Sequence, residues 1–124
     1  MSMSKVPFKS QTPNPMNPNV IDVTVDDVFA CKDKVSIVDV REPQEWIGEY
    51  GHIAEAKHIV LNTLPQNLPQ ISPDEVVVFV CRSGNRSAQA TYFAKQNGYT
   101  DAFNMKGGMV EWTKKNLPTT GRAP

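Results

Sequence analysis

The chain has 124 residues, which is the size of one compact domain. Its 13 Lys and Arg residues balance its 13 Asp and Glu residues, so we expect no nucleic-acid partner and no attraction to an anionic membrane. No apolar stretch approaches the roughly 20 residues that a membrane helix needs. The first residues lack the apolar core of a secretory signal, and we therefore expect a cytoplasmic protein.

Residues 1–18 are rich in Ser, Asn and Pro and carry few large apolar side chains. Proline without hydrophobic periodicity favours neither a helix nor a paired strand, so we predict a flexible N-terminal arm here. The arm is expected to be loose, and docking on the domain or on a partner is the alternative. An ordered domain is predicted over residues 19–118, followed by a C-terminal tail at 119–124.

Strands and helices alternate along the first half of the domain. Thr24 and Asp27, three residues apart, resemble a capping box and predict a helix that ends at Cys31. A strand is predicted over 35–40 and a helix begun by a proline over 43–51. A short strand at 59–61 and a helical turn at 64–68 follow.

The second half of the domain contains the most apolar run, residues 75–80. Its hydrophobicity is continuous rather than alternating, which predicts a strand covered on both faces, as in a parallel sheet. A helix is predicted over 87–97, a strand over 101–105, and a tight turn at 107–108 that leads into a last helix. Alternating strands and helices predict an α/β domain.

The segment from Cys81 to Ser87, the cysteine loop, follows this apolar strand, at the edge where open α/β sheets bind ligands. Gly84 lets the backbone curl so that successive amide N–H groups point inward and bind an anion. The predicted helix adds its positive N-terminal end, and Arg82 and Arg86 add two guanidinium groups. These features favour a nucleophilic thiolate at Cys81. The alternative is that Cys81 is a small buried hydrophobe.

Residues 20–117 resemble a single-domain rhodanese, a sulfurtransferase family. The resemblance rests on four segments in the family's order: DVREPQEW at 39–46, GHI at 51–53, the cysteine loop CRSGNRS at 81–87, and KGG at 106–108 before Trp112. It implies a rhodanese-like α/β fold, with a central parallel sheet of about five strands flanked by helices. No cofactor is implied.

The resemblance also implies a persulfide mechanism centred on Cys81. Its thiolate would take the outer sulfur of thiosulfate, release sulfite, and pass the sulfur from a persulfide to cyanide, a thiol or a protein thiol. Backbone amides would stabilise the persulfide, and Arg82 and Arg86 would suit the sulfonate and the departing sulfite. Arg86 could equally tie the loop to neighbouring groups. The implied anion-binding residues are Arg82, Ser83, Gly84, Asn85, Arg86 and Ser87.

Asp39, Arg41 and Glu45 match the family's charged cluster, which we interpret as an ion-pair network that braces the cysteine loop. Arg41 is expected to be the member that faces the substrate. His52 is expected to hold a turn rather than act as a base, and the absence of clustered Cys and His residues predicts no metal site. Cys31 is expected in the core, and the alternative is a resolving thiol that traps the persulfide as a disulfide.

Spacing separates this loop from its relatives in phosphatases and arsenate reductases. Cys81 and Arg86 are spaced Cys-x4-Arg, one residue shorter than in those enzymes, and Val80 stands where a general-acid His would precede the cysteine. Three functions stay open: an enzyme that uses a small acceptor, a persulfide carrier in a protein sulfur relay, and a non-catalytic binding or regulatory module. An intact Cys81 counts against the third. Ala54-Glu55 replaces the family's usual Pro-Gly and leaves the acceptor's identity open.

Overall fold

The structure, a computed structural model, describes residues 5–122, so the first four residues of the predicted arm and the last two of the predicted tail lie outside it. Its strands are β1 (Thr12–Pro13), β2 (Ile21–Val23), β3 (Ser36–Asp39), β4 (Ala56–His58), β5 (Val77–Val80) and β6 (Ala102–Met105). Its α-helices are α1 (Val25–Cys31), α2 (Pro43–Trp46), α3 (Leu64–Asn67), α4 (Asn85–Gln96) and α5 (Gly108–Lys114). Two 3-10 turns, Leu61–Thr63 and Leu68–Gln70, flank α3.

The strands form one sheet in the order β1-β2-β6-β5-β3-β4. Strands β2 to β6 pair with one another in parallel, and β1 pairs antiparallel with β2 at the edge. The predicted parallel sheet of about five strands is confirmed, and a short sixth strand from the N-terminal segment extends it. Strand β5 lies in the interior of the sheet and is buried along its whole length, as its continuous apolar run predicts.

Two apolar clusters cover the two faces of the sheet. Side chains along β5 alternate between them, with Val78 and Val80 in one cluster and Val77 and Phe79 in the other. The first cluster contains residues of α1 and α5, and the second contains residues of α3 and α4. The helices therefore lie on both sides of the sheet, and the carboxyl end of β5 lies in the middle of one edge of the sheet.

The N-terminal segment is docked rather than loose over residues 5–18. Phe8 is buried and packs edge-on against Phe103, with ring centroids 5.3 Å apart. The carboxylate of Asp27 accepts the backbone N–H groups of Lys9 and Ser10, each at 2.8 Å. An edge strand tolerates Pro13 because an edge leaves part of the backbone unpaired. The alternative of a docked arm therefore describes these residues.

Three element boundaries differ from the prediction. Strand β4 lies three residues before the predicted strand at 59–61, although Ile59 still donates its N–H to Asp39 at 3.0 Å. Helix α2 is one turn long and ends at Trp46 rather than near Gly51. Helix α4 begins two residues earlier than predicted because Gly84, in the left-handed region with φ of 107°, starts it directly.

Candidate active site

Cys81 follows β5, and its side chain lies at the floor of the cysteine loop, 1% exposed. The backbone N–H of Gly84 donates to its Sγ at 3.1 Å, and the hydroxyl of Ser87 lies 3.2 Å from the same atom. The twelve-residue helix α4 begins within this loop, so its positive end lies beside the sulfur. All three features favour negative charge on the sulfur.

Helix α5 supports the loop from behind through backbone hydrogen bonds. The N–H groups of Met109 and Val110 donate to the carbonyl oxygens of Cys81 and Arg82, at 2.9 and 3.0 Å. A Cβ atom on Gly108 would collide with both of these oxygens. The predicted close backbone approach at residues 107–108 is therefore confirmed at Gly108.

Arg86 and Glu45 form a bidentate ion pair between the cysteine loop and α2, with nitrogen–oxygen distances of 2.7 and 2.8 Å. The hydrogen bond from Arg86 lowers the pKa of Glu45 to about 2, against the opposing effect of partial burial. The same hydrogen bond raises the pKa of Arg86, again against the opposing effect of partial burial. Of the two roles considered for Arg86, this geometry supports tying the loop to its neighbour.

Arg41 is buried, with 1% of its side chain exposed, and its guanidinium is paired within the protein; that it faces the substrate stays a prediction. Its guanidinium binds both carboxylate oxygens of Asp39, the shortest contact being 2.7 Å. It also donates to the carbonyl oxygens of Gly51 and Glu45, at 2.7 and 3.2 Å. Asp39 lies opposite Val80 in the sheet, so the Arg41–Asp39 ion pair lies at the strand end next to Cys81. The charged cluster thus forms two ion pairs, Arg41 with Asp39 and Arg86 with Glu45, and its bracing of the loop stays a prediction.

Arg82 is the exposed guanidinium of the loop. It lies over the ring of Tyr50, 5.7 Å from the centroid, and 3.5 Å from its hydroxyl. Within residues 5–122 it makes no ion pair with a carboxylate, so its charge is available to an anion. Arg82 and Tyr50 line a cavity of about 180 Å³ beside the loop, together with Arg41, residues of α2 and the turn after it. Ser83 and Asn85 are exposed at the rim.

Two buried polar residues of neighbouring strands also belong to the site, and neither was predicted from the sequence. The amide oxygen of Asn104 in β6 lies 2.5 Å from the hydroxyl of Ser87. The amide nitrogen of Asn104 donates to the carboxylate of Asp22 in β2 at 2.9 Å. A polar residue within a short apolar strand was the available signal, since these strands read IDV and AFNM.

His52 has the structural role that was expected. Its ring stacks on Trp46 with centroids 3.5 Å apart, and its Nδ1 hydrogen-bonds the carbonyl oxygen of the same residue at 2.8 Å. His58 stacks on Trp46 as well, at 4.6 Å. The backbone of His52 pairs with Thr120, which joins the predicted C-terminal tail to this region.

The two cysteines are free thiols that belong to different apolar clusters. Cys31 lies in the cluster that α1 and α5 build, whereas Cys81 lies in the cluster on the other face of the sheet. Cys31 is therefore a core residue, and the fold does not support a resolving role. Among residues 5–122, no group of three or more His, Cys, Asp or Glu side chains is placed to hold a metal ion. None of the helices in this range has the length and apolarity to cross a membrane.

Comparison with known proteins places this site in a family. A model of the Rhodanese-like domain matches residues 18–115. The chain is 37% identical over 90 residues to a sulfurtransferase of Allochromatium vinosum, covering 73% of this chain and 82% of that protein. It is 39% identical over 82 residues to the Bacillus subtilis protein YqhL, covering 66% of this chain and 64% of the relative, so it spans just under two thirds of that protein's length.

Solved structures give the same result. The human single-domain sulfurtransferase TSTD1 superposes with a TM-score of 0.66 at 30% identity, covering 76% of this chain and 96% of that one. The cysteine loop lies within residues 18–115, the range that the family model matches. The chain belongs to the Rhodanese-like domain family, among whose members it is similar to sulfurtransferases.

Proposed function

We propose that this chain is a sulfurtransferase that moves sulfane sulfur from thiosulfate, or a similar anionic donor, to a thiophilic acceptor through a persulfide on Cys81. The observation that carries the proposal is the environment of its sulfur, which lies between the N–H of Gly84 and the hydroxyl of Ser87 at the start of α4. Such donors stabilise negative charge on sulfur in each step of the transfer.

The transfer takes place in two balanced steps. The Cys81 thiolate attacks the outer sulfur of thiosulfate, a bond forms between the two sulfur atoms, and sulfite leaves with the electron pair of the broken sulfur–sulfur bond. Cyanide or a thiolate then attacks the outer sulfur of the persulfide, and Cys81 leaves as a thiolate. Cyanide becomes thiocyanate, and a thiol acceptor becomes a persulfide. No external oxidant or reductant is needed.

The loop residues divide this work. Arg82, exposed and without a carboxylate partner in the described part of the chain, suits the sulfonate end of the donor and the departing sulfite. Arg86 is a positioning residue, because its guanidinium holds the loop to Glu45. The buried Arg41–Asp39 pair fixes the neighbouring strand end. The chemistry needs a reduced Cys81, which suits a cytoplasmic location.

The persulfide-carrier alternative uses the same cysteine and differs in its partners. One observation favours the carrier: Ser83 and Asn85 at the rim of the loop are exposed, which leaves room for a protein thiol to approach. A non-catalytic binding module would have no need of the two hydrogen-bond donors aimed at Cys81.

Thiocyanate formation from thiosulfate and cyanide tests the proposal. We expect turnover in the wild-type protein and in Cys31→Ser, and none in a folded Cys81→Ser variant. Turnover in Cys81→Ser would overturn the mechanism. A wild-type protein that takes sulfur from a protein persulfide but not from thiosulfate would identify the chain as a carrier.

A further inference from the structure

A line of buried polar side chains leads from the edge of the sheet to the sulfur of Cys81. The hydroxyl of Ser87 lies 3.2 Å from Sγ and 2.5 Å from the amide oxygen of Asn104. The amide nitrogen of Asn104 donates to Asp22 at 2.9 Å, and Asn14 of the N-terminal segment donates to the same carboxylate at 3.0 Å. Ser87, Asn104 and Asp22 are 0%, 1% and 3% exposed.

The chemistry of these groups fixes where the protons lie. A carboxylate accepts hydrogen bonds, so the NH₂ group of Asn104 must face Asp22 and its oxygen must face Ser87. That oxygen can only accept. The hydroxyl of Ser87 carries one proton, and two acceptors, the Asn104 oxygen and the Cys81 sulfur, lie within its reach. Only one of the two hydrogen bonds can form at a time.

The charge on Sγ changes during the proposed transfer. The sulfur is an anion before it is loaded, and it is a neutral divalent sulfur once the outer atom of the persulfide carries the charge. It becomes an anion again when the acceptor takes the outer sulfur. A hydroxyl that turns toward Sγ when it is charged, and toward Asn104 when it is neutral, stabilises both states without movement of heavy atoms.

We propose that Asp22 and Asn104 are positioning residues of this site, which hold the Ser87 hydroxyl between Asn104 and Cys81 and set how strongly it donates to the sulfur. The inference rests on the proposed function, because it assumes that Cys81 carries the sulfur.

The buried carboxylate of Asp22 decides which of the two acceptors the Ser87 hydroxyl favours. The hydrogen bonds to Asp22 come from the side-chain amides of Asn104 and Asn14, and no ion pair to it occurs within the described residues. An amide that donates to a carboxylate becomes a stronger acceptor at its oxygen. Asp22 therefore draws the proton of Ser87 toward Asn104 and away from the sulfur. A neutral residue at position 22 would release that proton to the sulfur.

Other charged groups surround Cys81 and stay unchanged in the test. They are Arg82 and Arg86 of its own loop, Glu45 of α2 bound to Arg86, and the Asp39–Arg41 pair at the end of β3.

The pH dependence of Cys81 alkylation by iodoacetamide tests the inference, with peptide mass spectrometry to count Cys81 apart from Cys31. Asp22→Asn keeps an oxygen that Asn104 can donate to but removes the charge. We expect the pH of half-maximal rate to fall by about half a unit. We also expect the limiting rate at high pH to fall by about 1.5-fold, because a less basic thiolate is a weaker nucleophile. Asp26→Asn is the matched control, since Asp26 is an exposed carboxylate paired with Lys115, and we expect no shift.

A second background separates this role from a general effect of charge or stability. In Ser87→Ala, the Asp22→Asn shift should disappear because the hydroxyl that transmits it is absent. An equal shift in both backgrounds, or no shift in a folded Asp22→Asn protein, overturns the inference. If Asp22→Asn does not fold, Asn14→Ala replaces it. Removing that competing donor strengthens the hold of Asp22 on Asn104, so a smaller shift upward is expected and a downward shift contradicts the inference.

Alkylation does not depend on sulfur transfer, so the two proposals fail in different ways. Failure of the proposed function appears as a wild-type Cys81 that alkylates normally and takes up no sulfur. Failure of the positioning role appears as unchanged pH profiles in a protein that does take up sulfur.

Discussion

The two cysteines of this chain are both buried free thiols, and their surroundings differ. Cys31 ends the short helix α1, and its thiol donates a weak hydrogen bond to the carbonyl oxygen of Pro7, 3.8 Å away, in the apolar core. Cys81 is the more buried of the two, yet an N–H and a hydroxyl point at its sulfur and a helix begins beside it. Burial alone therefore does not distinguish a structural thiol from a reactive one. The donors around the sulfur do.

Alkylation of the native protein gives the largest contrast between the two thiols. We expect iodoacetamide to modify Cys81 on the order of 100-fold faster than Cys31 at pH 7, because the cysteine loop stabilises its thiolate. Peptide mass spectrometry at short times measures both rates in one sample. Equal rates, or a faster Cys31, would mean that the loop does not activate Cys81.

Gly108→Ala should disturb the environment of Cys81 and leave that of Cys31 intact. The new methyl group would collide with the carbonyl oxygens of Cys81 and Arg82, and position 108 has a positive φ of 58°. We expect a loss of about 2–3 kcal/mol in the free energy of unfolding, measured by urea titration.

Gly98→Ala is the matched control for this change. Gly98 also has a positive φ, of 93°, but nothing lies within 4 Å of a Cβ atom there. A loss of about 1 kcal/mol is expected from backbone strain alone. Equal losses in the two variants would show that the contact between α5 and the cysteine loop contributes nothing.

Arg82→Ala separates anion binding from thiolate activation. The exposed guanidinium is proposed to bind the sulfonate, so we expect KM for thiosulfate to rise about tenfold. Alkylation of Cys81 by neutral iodoacetamide should change far less. If sulfur transfer and the alkylation of Cys81 both slow in this variant, Arg82 acts on the sulfur itself rather than on the donor.

Glu45→Gln has the smallest expected effect on transfer, about threefold, because it loosens Arg86 and leaves the donors to Cys81 in place. Its clearer signature is in acid. The pKa of Glu45 is lowered from 4.5 to about 2, so the stability that its charge contributes is present above pH 4.5 and is lost as the pH falls toward 2.

The variant should lack that part of the pH dependence. Thermal unfolding at pH values between 2 and 6 measures it, with Glu49→Gln as a control that changes a neighbouring carboxyl without removing the ion pair. Identical acid profiles for the wild type and Glu45→Gln would contradict the assigned contact.

Local signals explain why much of the fold could be predicted from the sequence. The apolar run of β5, the Thr24 cap of α1 and the left-handed Gly84 each act within a few residues. The sequence left open whether the N-terminal segment is loose or docked, because docking depends on contacts such as Ser10 with Asp27, 17 residues apart. The burial of Arg41 could not be predicted because it depends on a backbone acceptor, the carbonyl oxygen of Gly51, which no side-chain pattern reveals.

The candidate site divides in the same way. The cysteine and its loop are contiguous, so a motif reveals them. The polar residues behind Ser87, Asp22 and Asn104, lie on two strands that are far apart in the sequence, and these two positions are 82 residues apart. Only the parallel pairing of β2 with β6 brings them together.

The most direct test of the central claim is the intact mass of the reduced protein after thiosulfate is added, followed by a cyanide chase. We predict a gain of one sulfur atom, about 32 Da, located on Cys81 and absent from Cys31, that the chase removes. A gain on Cys31, or a reduced and folded protein that gains no mass from thiosulfate, would contradict the account.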